Sequence, residues 1–232
     1  NYPGSYYGII QLGTQTAAFC IGGGDPYQTA TNTYNGSSFS SSTAINSGRS
    51  NGIGSGSTTA SVIAGGTTPS ATAKTELWNG SAWTEVNDLN TARDLLAGSG
   101  SSSTNSLAFG GLSTALASTE SWNGTVWTEV NDLATGRREL GGSSNGSNQS
   151  ALAFSGCTSP GSVQTASEEW SFPPSTSSAL NEGDMWFNSD SSTLKVYGVS
   201  VPSGTWASGT NFPSAVNGVT GFGLQNAAMV AA

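Results

Sequence analysis

Fourteen carboxylates, six basic residues, two cysteines and no histidine are the reactive groups of this 232-residue chain. Without imidazole there is no Ser-His-Asp or Cys-His nucleophile and no histidine-bearing metal site. Two cysteines cannot hold a structural zinc alone. Paired Asp or Glu could cleave a glycosidic bond as acid and base. Most of the carboxylates recur, however. Glu76, Glu85 and Asp88 return 44 residues on as Glu120, Glu129 and Asp132. A catalytic pair is needed once, so repetition points to a structural role. The candidate partners are Arg93 and Arg137, which recur with Arg49 at one repeat position, because a buried guanidinium needs a counter-charge. Asp184 and Asp190 are the one unrepeated pair to inspect for hydrolysis. The expectation is no catalytic, cofactor-binding or metal-binding residue.

Trp78, Trp83, Trp122, Trp127 and Trp170 recur where sheet must pack on sheet, which favours core over sugar-stacking platforms. Trp186 and Trp206 lie outside the clean repeats and are the candidates for exposure and glycan contact. Cys20 and Cys157 stand near the ends of equivalent strands. A disulfide is open to them if the first and last units adjoin, but two buried free thiols are favoured. Asn35, Asn79, Asn123, Asn145 and Asn148 begin Asn-x-Ser/Thr triplets. The first three also stand at turns, and the turn role is preferred over that of glycan acceptor. Gly22-Gly23-Gly24-Asp25 lacks the Lys-Ser/Thr and the helix of a phosphate loop.

The elements that position these residues follow from the repeat. Thr75-Glu76-Leu77-Trp78-Asn79-Gly80-Ser81-Ala82-Trp83-Thr84-Glu85-Val86-Asn87-Asp88-Leu89 returns almost intact as Thr119–Leu133. Asn-Gly between β-prone runs predicts a hairpin with a type I′ turn. An apolar strand closed by Gly-Gly precedes it, Ser61–Gly66 and Leu107–Gly111, and an Arg-bearing stretch follows, Thr91–Gly98 and Thr135–Gly142. The expectation is therefore four strands per unit: an Ala/Phe strand, a Thr-Glu-x-Trp strand, a Trp-Thr-Glu-Val strand and an Arg-bearing fourth strand. Four strands in about 45 residues make a β-propeller blade. In the first unit Tyr34 and Phe39 replace the tryptophans. The fourth unit breaks at Pro173-Pro174.

The Gly-Gly after a strand and the aromatic beyond it resemble kelch-type repeats. The Trp-Asn-Gly-x-x-Trp-Thr-Glu-Val core resembles the Ser/Thr/Gly-rich kelch-like repeats of bacteriophage structural proteins. A second resemblance lies at Gly183-Asp184-Met185-Trp186-Phe187 and Leu194-Lys195-Val196-Tyr197. These read as a hairpin, Asp184–Asn188 against Thr193–Tyr197, and resemble a module of phage tail-fibre and head-fibre proteins. The resemblances imply an all-β, kelch-like propeller of four to five four-stranded blades. They place blades over 1–174, with repeats near 13–56, 57–100, 101–145 and 146–172, a fibre-type insert at 175–200 and resumed repeat at 201–232. They further imply a non-enzymatic virion appendage, localised to the virion or outside the cell, assembled with other subunits or copies of itself, and contacting host-surface glycans. A subunit of a bacterial extracellular filament or adhesin is the alternative reading, and a polysaccharide depolymerase a third.

Composition agrees with this class. Thirty-two glycines and 9% charged residues suit close-packed β units, and the regular aromatics argue against disorder. A net charge of −8 with dispersed arginines excludes a nucleic-acid footprint. No apolar run reaches membrane-spanning length, and no signal peptide is read. The first residue is Asn1 rather than Met, which fits a processed or partial sequence. Residues 1–12 align with the Arg-bearing strand, so the chain is expected to enter on the last strand of a blade. Gly223–Ala232 mirrors Gly13–Gly22, so it is expected to leave on a first strand. The two middle strands of that shared blade could come from the insert, from a neighbouring subunit or from further chain.

Overall fold

A computed structural model of the chain describes residues 2–171, apart from Asp25, Ser113 and 159–161, and beyond them the backbone of five strands. The described residues form no helix. The first sheet is β1 (Ile10–Thr14), β2 (Ala17–Ile21), β3 (Thr31–Tyr34) and β4 (Phe39–Ser42), antiparallel and in sequence order. The second is β5 (Ile53–Gly56), β6 (Ser61–Ala64), β7 (Thr75–Trp78) and β8 (Trp83–Glu85). The third is β9 (Ala97–Ser102), β10 (Asn105–Phe109), β11 (Thr119–Trp122) and β12 (Trp127–Val130). The fourth begins with β13 (Gly141–Gly142), β14 (Ser150–Phe154) and β15 (Ser167–Ser171). A separate hairpin, β16 (Met185–Asn188) and β17 (Thr193–Val196), then intervenes before β18 (Thr205–Ser208) pairs with β15 and completes it. A last hairpin is β19 (Thr220–Phe222) with β20 (Met229–Ala231).

The sheets stack as blades. Successive blades meet mainly through their first strands, β1 beside β5, β5 beside β9, β9 beside β13 and β13 beside β19. This puts the first strands at the axis and the fourth strands at the rim. Close approach there depends on small residues. A Cβ at Gly54 would come within 2.9 Å of Ile10, and one at Gly98 within 3.0 Å of Ile53. Between blades lie three apolar layers. One holds Phe19, Ile21, Ile63 and Trp78; the next Val62, Ala64, Ala108 and Trp122; the third Leu107, Phe109, Ala153 and Trp170. The fold is all-β and propeller-like, with four four-stranded blades and two further two-stranded hairpins among the described residues.

Two expectations are corrected. First, the strand after each arginine is not the fourth of its own blade but the first of the next. Residues 10–14 are thus a first strand, and blade one is built from contiguous chain. The repeat limits near 13, 57, 101 and 146 fall within the first hairpin of each blade. The physical reason is that β1 and β2 are joined by a tight hairpin, whereas the arm after β8 runs through Arg93 and crosses to the next sheet. Second, the Asn-Gly turn is not type I′. Trp78 pairs with Trp83, leaving a four-residue loop in which Gly80 has φ +96° but Asn79 is not left-handed. Asn79 Oδ1 instead accepts from the N–H groups of Ser81 and Ala82, both at 3.0 Å. The side chain mimics a backbone carbonyl, so only Gly80 needs positive φ. Cys20 and Cys157 are free thiols, as favoured above, Cys157 buried and Cys20 half-buried.

Candidate functional site

The residues singled out by type and spacing meet in the seams between blades, and each seam is built around one arginine. Arg49 lies on the arm that enters β5. Its backbone oxygen accepts from Gly23 N of the preceding blade at 2.8 Å. Its side chain enters the following blade, where Nη2 donates to Glu76 Oε1 at 2.5 Å and Nη1 to Lys74 O at 2.5 Å. Arg93 repeats the arrangement, with Gly66 N on its carbonyl at 2.9 Å and Nη2 on Glu120 Oε1 at 2.9 Å. Arg137 does so with Gly111 N at 2.8 Å and Glu168 Oε1 at 2.7 Å. All three guanidinium side chains are 0% exposed. The arginine thus joins two blades at once, backbone to one and charge to the next.

The second carboxylate oxygen is also held. Glu76 Oε2 accepts from Asn46 N at 2.7 Å and from Asn46 Nδ2 at 2.8 Å, and Glu120 Oε2 from the same atoms of Asn90 at 2.7 and 2.9 Å. Ala134 stands at the third such position and gives Glu168 Oε2 only its backbone N–H, at 2.7 Å. Burial pulls each guanidinium below its ordinary pKa, and the facing glutamate pulls it back up. With every charge paired and hydrogen-bonded, burial is tolerable.

Gly-Gly serves the same joint. A Cβ on Gly110, whose φ is +67°, would come 2.5 Å from Arg137 O. Below the arm, a residue in the left-handed region begins each return to the axis: Gly8, Asn51, Leu95 and Glu139, at φ 62°, 56°, 54° and 53°. Each passes a hydrogen bond to the next, Asn51 N to Gly8 O at 2.8 Å, Leu95 N to Asn51 O at 3.1 Å and Glu139 N to Leu95 O at 2.8 Å. A leucine there is strained, and the ladder over-determines it. Neither the ladder nor the Asn46 and Asn90 contacts were read from the sequence. The signal was there, since Asn46 and Asn90 share the 44-residue spacing of Arg49 and Arg93.

The tryptophans line the seams as cross-strand pairs. Trp78 and Trp83 are 5.3 Å apart, Trp122 and Trp127 5.2 Å, and the substituted pair Tyr34 and Phe39 4.8 Å. Trp122 and Trp170 are fully buried; Trp78, Trp83 and Trp127 are buried to within a few per cent. Trp122 Nε1 donates to Ser103 O at 2.8 Å and Trp170 Nε1 to Asn148 O at 3.0 Å. Trp206 lies opposite Trp170 in β18, the register that Trp83 and Trp127 occupy, and Trp186 lies in β16. Their side chains, and Asp184 and Asp190, lie outside the described residues.

Blade one departs from the pattern as a set. With a 43-residue offset, Tyr6 stands where Arg49 does, Pro3 where Asn46 does and Tyr2 where Ile45 does. Asn32 in β3 holds the place of Glu76 in β7. The carboxylate is gone where no arginine and no N–H donor would meet it. Tyr2 packs edge-on against Phe39 at 5.3 Å, covering this face.

Among the described residues no group of three or more His, Cys, Asp or Glu lies together as a metal site would require. Burial pushes the thiols of Cys20 and Cys157 up from their ordinary pKa, the latter further by Glu139. Raised thiols carry little thiolate near neutral pH. A disulfide-exchange reagent at pH 7.5 should therefore label the folded chain at least about tenfold more slowly than the urea-unfolded chain; equal rates would contradict this placement.

No protein-family model matches this chain, and no curated protein sequence does. Its fold does have solved counterparts. One is YjhT, a kelch protein of β-propeller-like fold, with a TM-score of 0.69 and 9% sequence identity. The match covers 95% of this chain and 70% of the YjhT chain. At that identity the likeness establishes architecture alone, an all-β, propeller-like fold.

Proposed function

We propose that this chain is a non-enzymatic structural protein of a phage virion, placed in a tail fibre, head fibre or similar appendage and assembled as multiple copies. The observation that carries this reading is how the recurring ionisable groups are used. Arg49, Arg93 and Arg137 are each committed to Glu76, Glu120 or Glu168 in a dry seam, where they hold blades together. Asp88 and Asp132 accept from the backbone N–H of Thr75 and Thr119 at 3.0 and 3.1 Å. Groups spent on the fold in this way favour a structural role. The resemblance of 184–197 to phage fibre hairpins supplies the virion context, and its place between β15 and β18 fits a module added at the rim of one blade. Contact with host-surface glycans belongs to the same proposal, with Trp186 as the residue to substitute first.

The test is immunogold imaging of native particles with an antibody raised against the chain. Gold at defined positions on capsid or tail is the expected result. Label confined to free filaments, with particles bare, would overturn the reading in favour of an extracellular filament subunit.

A further inference from the structure

Asn-Gly occurs five times among the described residues, at 35–36, 51–52, 79–80, 123–124 and 145–146. The sequence makes these equivalent, and the structure sorts them into two classes. At the rim, Asn79 Oδ1 receives Ser81 N, Ser81 Oγ and Ala82 N, all at 3.0 Å. Asn35 Oδ1 receives Ser37 N at 3.0 Å, Ser38 N at 2.9 Å and Ser37 Oγ at 2.9 Å. Asn123 Oδ1 receives Thr125 N and Val126 N, both at 2.9 Å. All three asparagines are exposed, and the amide of the following glycine makes no hydrogen bond among the described residues.

The other two differ. Gly146 N donates to Ser143 O at 2.9 Å, so the nitrogen after Asn145 is occupied. Asn51 is half-buried, sits in the left-handed ladder and uses its side chain on Ser50 Oγ at 3.3 Å.

We propose that the three rim turns at Asn35, Asn79 and Asn123 are self-modifying sites that convert to aspartate and isoaspartate through a succinimide. A side-chain oxygen bonded to the N–H two residues on folds the carboxamide over the intervening glycine peptide, which brings nucleophile and electrophile together. The two to four donors on Oδ1, Ser38 Oγ at 3.5 Å being the fourth at Asn35, polarise Cγ and stand ready for the oxyanion that forms on attack. The glycine nitrogen gives its proton to solvent hydroxide and bonds to Cγ. The Cγ–Nδ2 bond breaks, and Nδ2 leaves as ammonia after taking a proton from water. A second water opens the ring at either carbonyl. Each conversion adds one negative charge at the rim, so three would move the net charge from −8 to −11.

The test is peptide mapping by mass spectrometry, with isoaspartate detection, of the folded chain held at pH 8 and 37 °C beside the same chain in urea. The expected result is conversion at Asn35, Asn79 and Asn123 about tenfold or more faster than at Asn51 and Asn145 in the folded chain, and near-equal rates at all five in urea. Ser81→Ala, which removes only the hydroxyl donor, should slow Asn79 and leave Asn123 unchanged. Conversion of Asn145 as fast as the rim sites, or intact rim sites after the urea sample has converted, would overturn the proposal. Neither outcome bears on the virion reading.

Discussion

Glu120→Ala is expected to destabilise the chain by about 3–5 kcal/mol, because it strands the Arg93 guanidinium in a seam where that side chain is 0% exposed. At this chain length such a loss lowers the melting temperature by roughly 6–20 °C. The decisive measurement is a comparison with Arg93→Met/Glu120→Leu. Replacing both charges by apolar groups of similar volume removes the cost of an unpaired charge, and a buried pair is worth little against such a replacement. The double variant should therefore recover most of the loss in a thermal or urea transition. If both variants fall equally, the pair is acting through packing, and the account of the arm as an electrostatic joint fails. Ala134 already indicates the scale of the neighbouring contacts. It lacks the side-chain donor that Asn46 and Asn90 provide, and the seam at Glu168 still forms.

The second large effect is expected at Trp122. It is fully buried, stacks on Trp127 at 5.2 Å and ties its indole N–H to Ser103 O. Trp122→Ala should cost about 3–5 kcal/mol through lost burial and a residual cavity. Tyr34, the equivalent residue in blade one, is only half-buried, so Tyr34→Ala should cost clearly less in the same urea titration. Equal costs would mean that the first seam is as dry and as tightly packed as the second.

Much of this architecture is legible in the sequence. The return of Thr75–Leu89 as Thr119–Leu133 gives the period, and Asn-Gly between β-prone runs at Trp78 and Trp122 gives the hairpins. Where a repeating unit is cut into sheets is not legible, since a period has no phase. Only the backbone pairing shows that the arm after Trp83 leaves its blade and that Ala97–Ser102 opens the next. The turn at Asn79 was misread for a related reason. Asn-Gly satisfies both a type I′ turn and a loop in which the carboxamide stands in for a backbone carbonyl, and the register of Trp78 with Trp83 decides between them. Leu95 carries no mark of its left-handed conformation, because leucine adopts it only under external constraint. Blade one was legible as degenerate at Tyr34 and Phe39. That Asn32, Pro3 and Tyr6 change together becomes visible only once Arg49 is seen to reach into the blade after its own.

The placement of each arginine one blade ahead of its backbone has a consequence for how such an array can grow. A segment running from just after Arg49 to just after Arg93 carries one buried carboxylate, Glu76, and one guanidinium, Arg93; its other two carboxylates, Glu85 and Asp88, are exposed. Duplicating or deleting that segment shifts every downstream partner together, so each guanidinium still faces a carboxylate and no buried charge is orphaned. A segment cut between Glu76 and Arg93 at one end and between Arg93 and Glu120 at the other would break that matching. The joint therefore makes whole blades the natural unit of insertion and loss. In blade one the equivalent positions hold the neutral pair Tyr6 and Asn32, so the matching is kept there too.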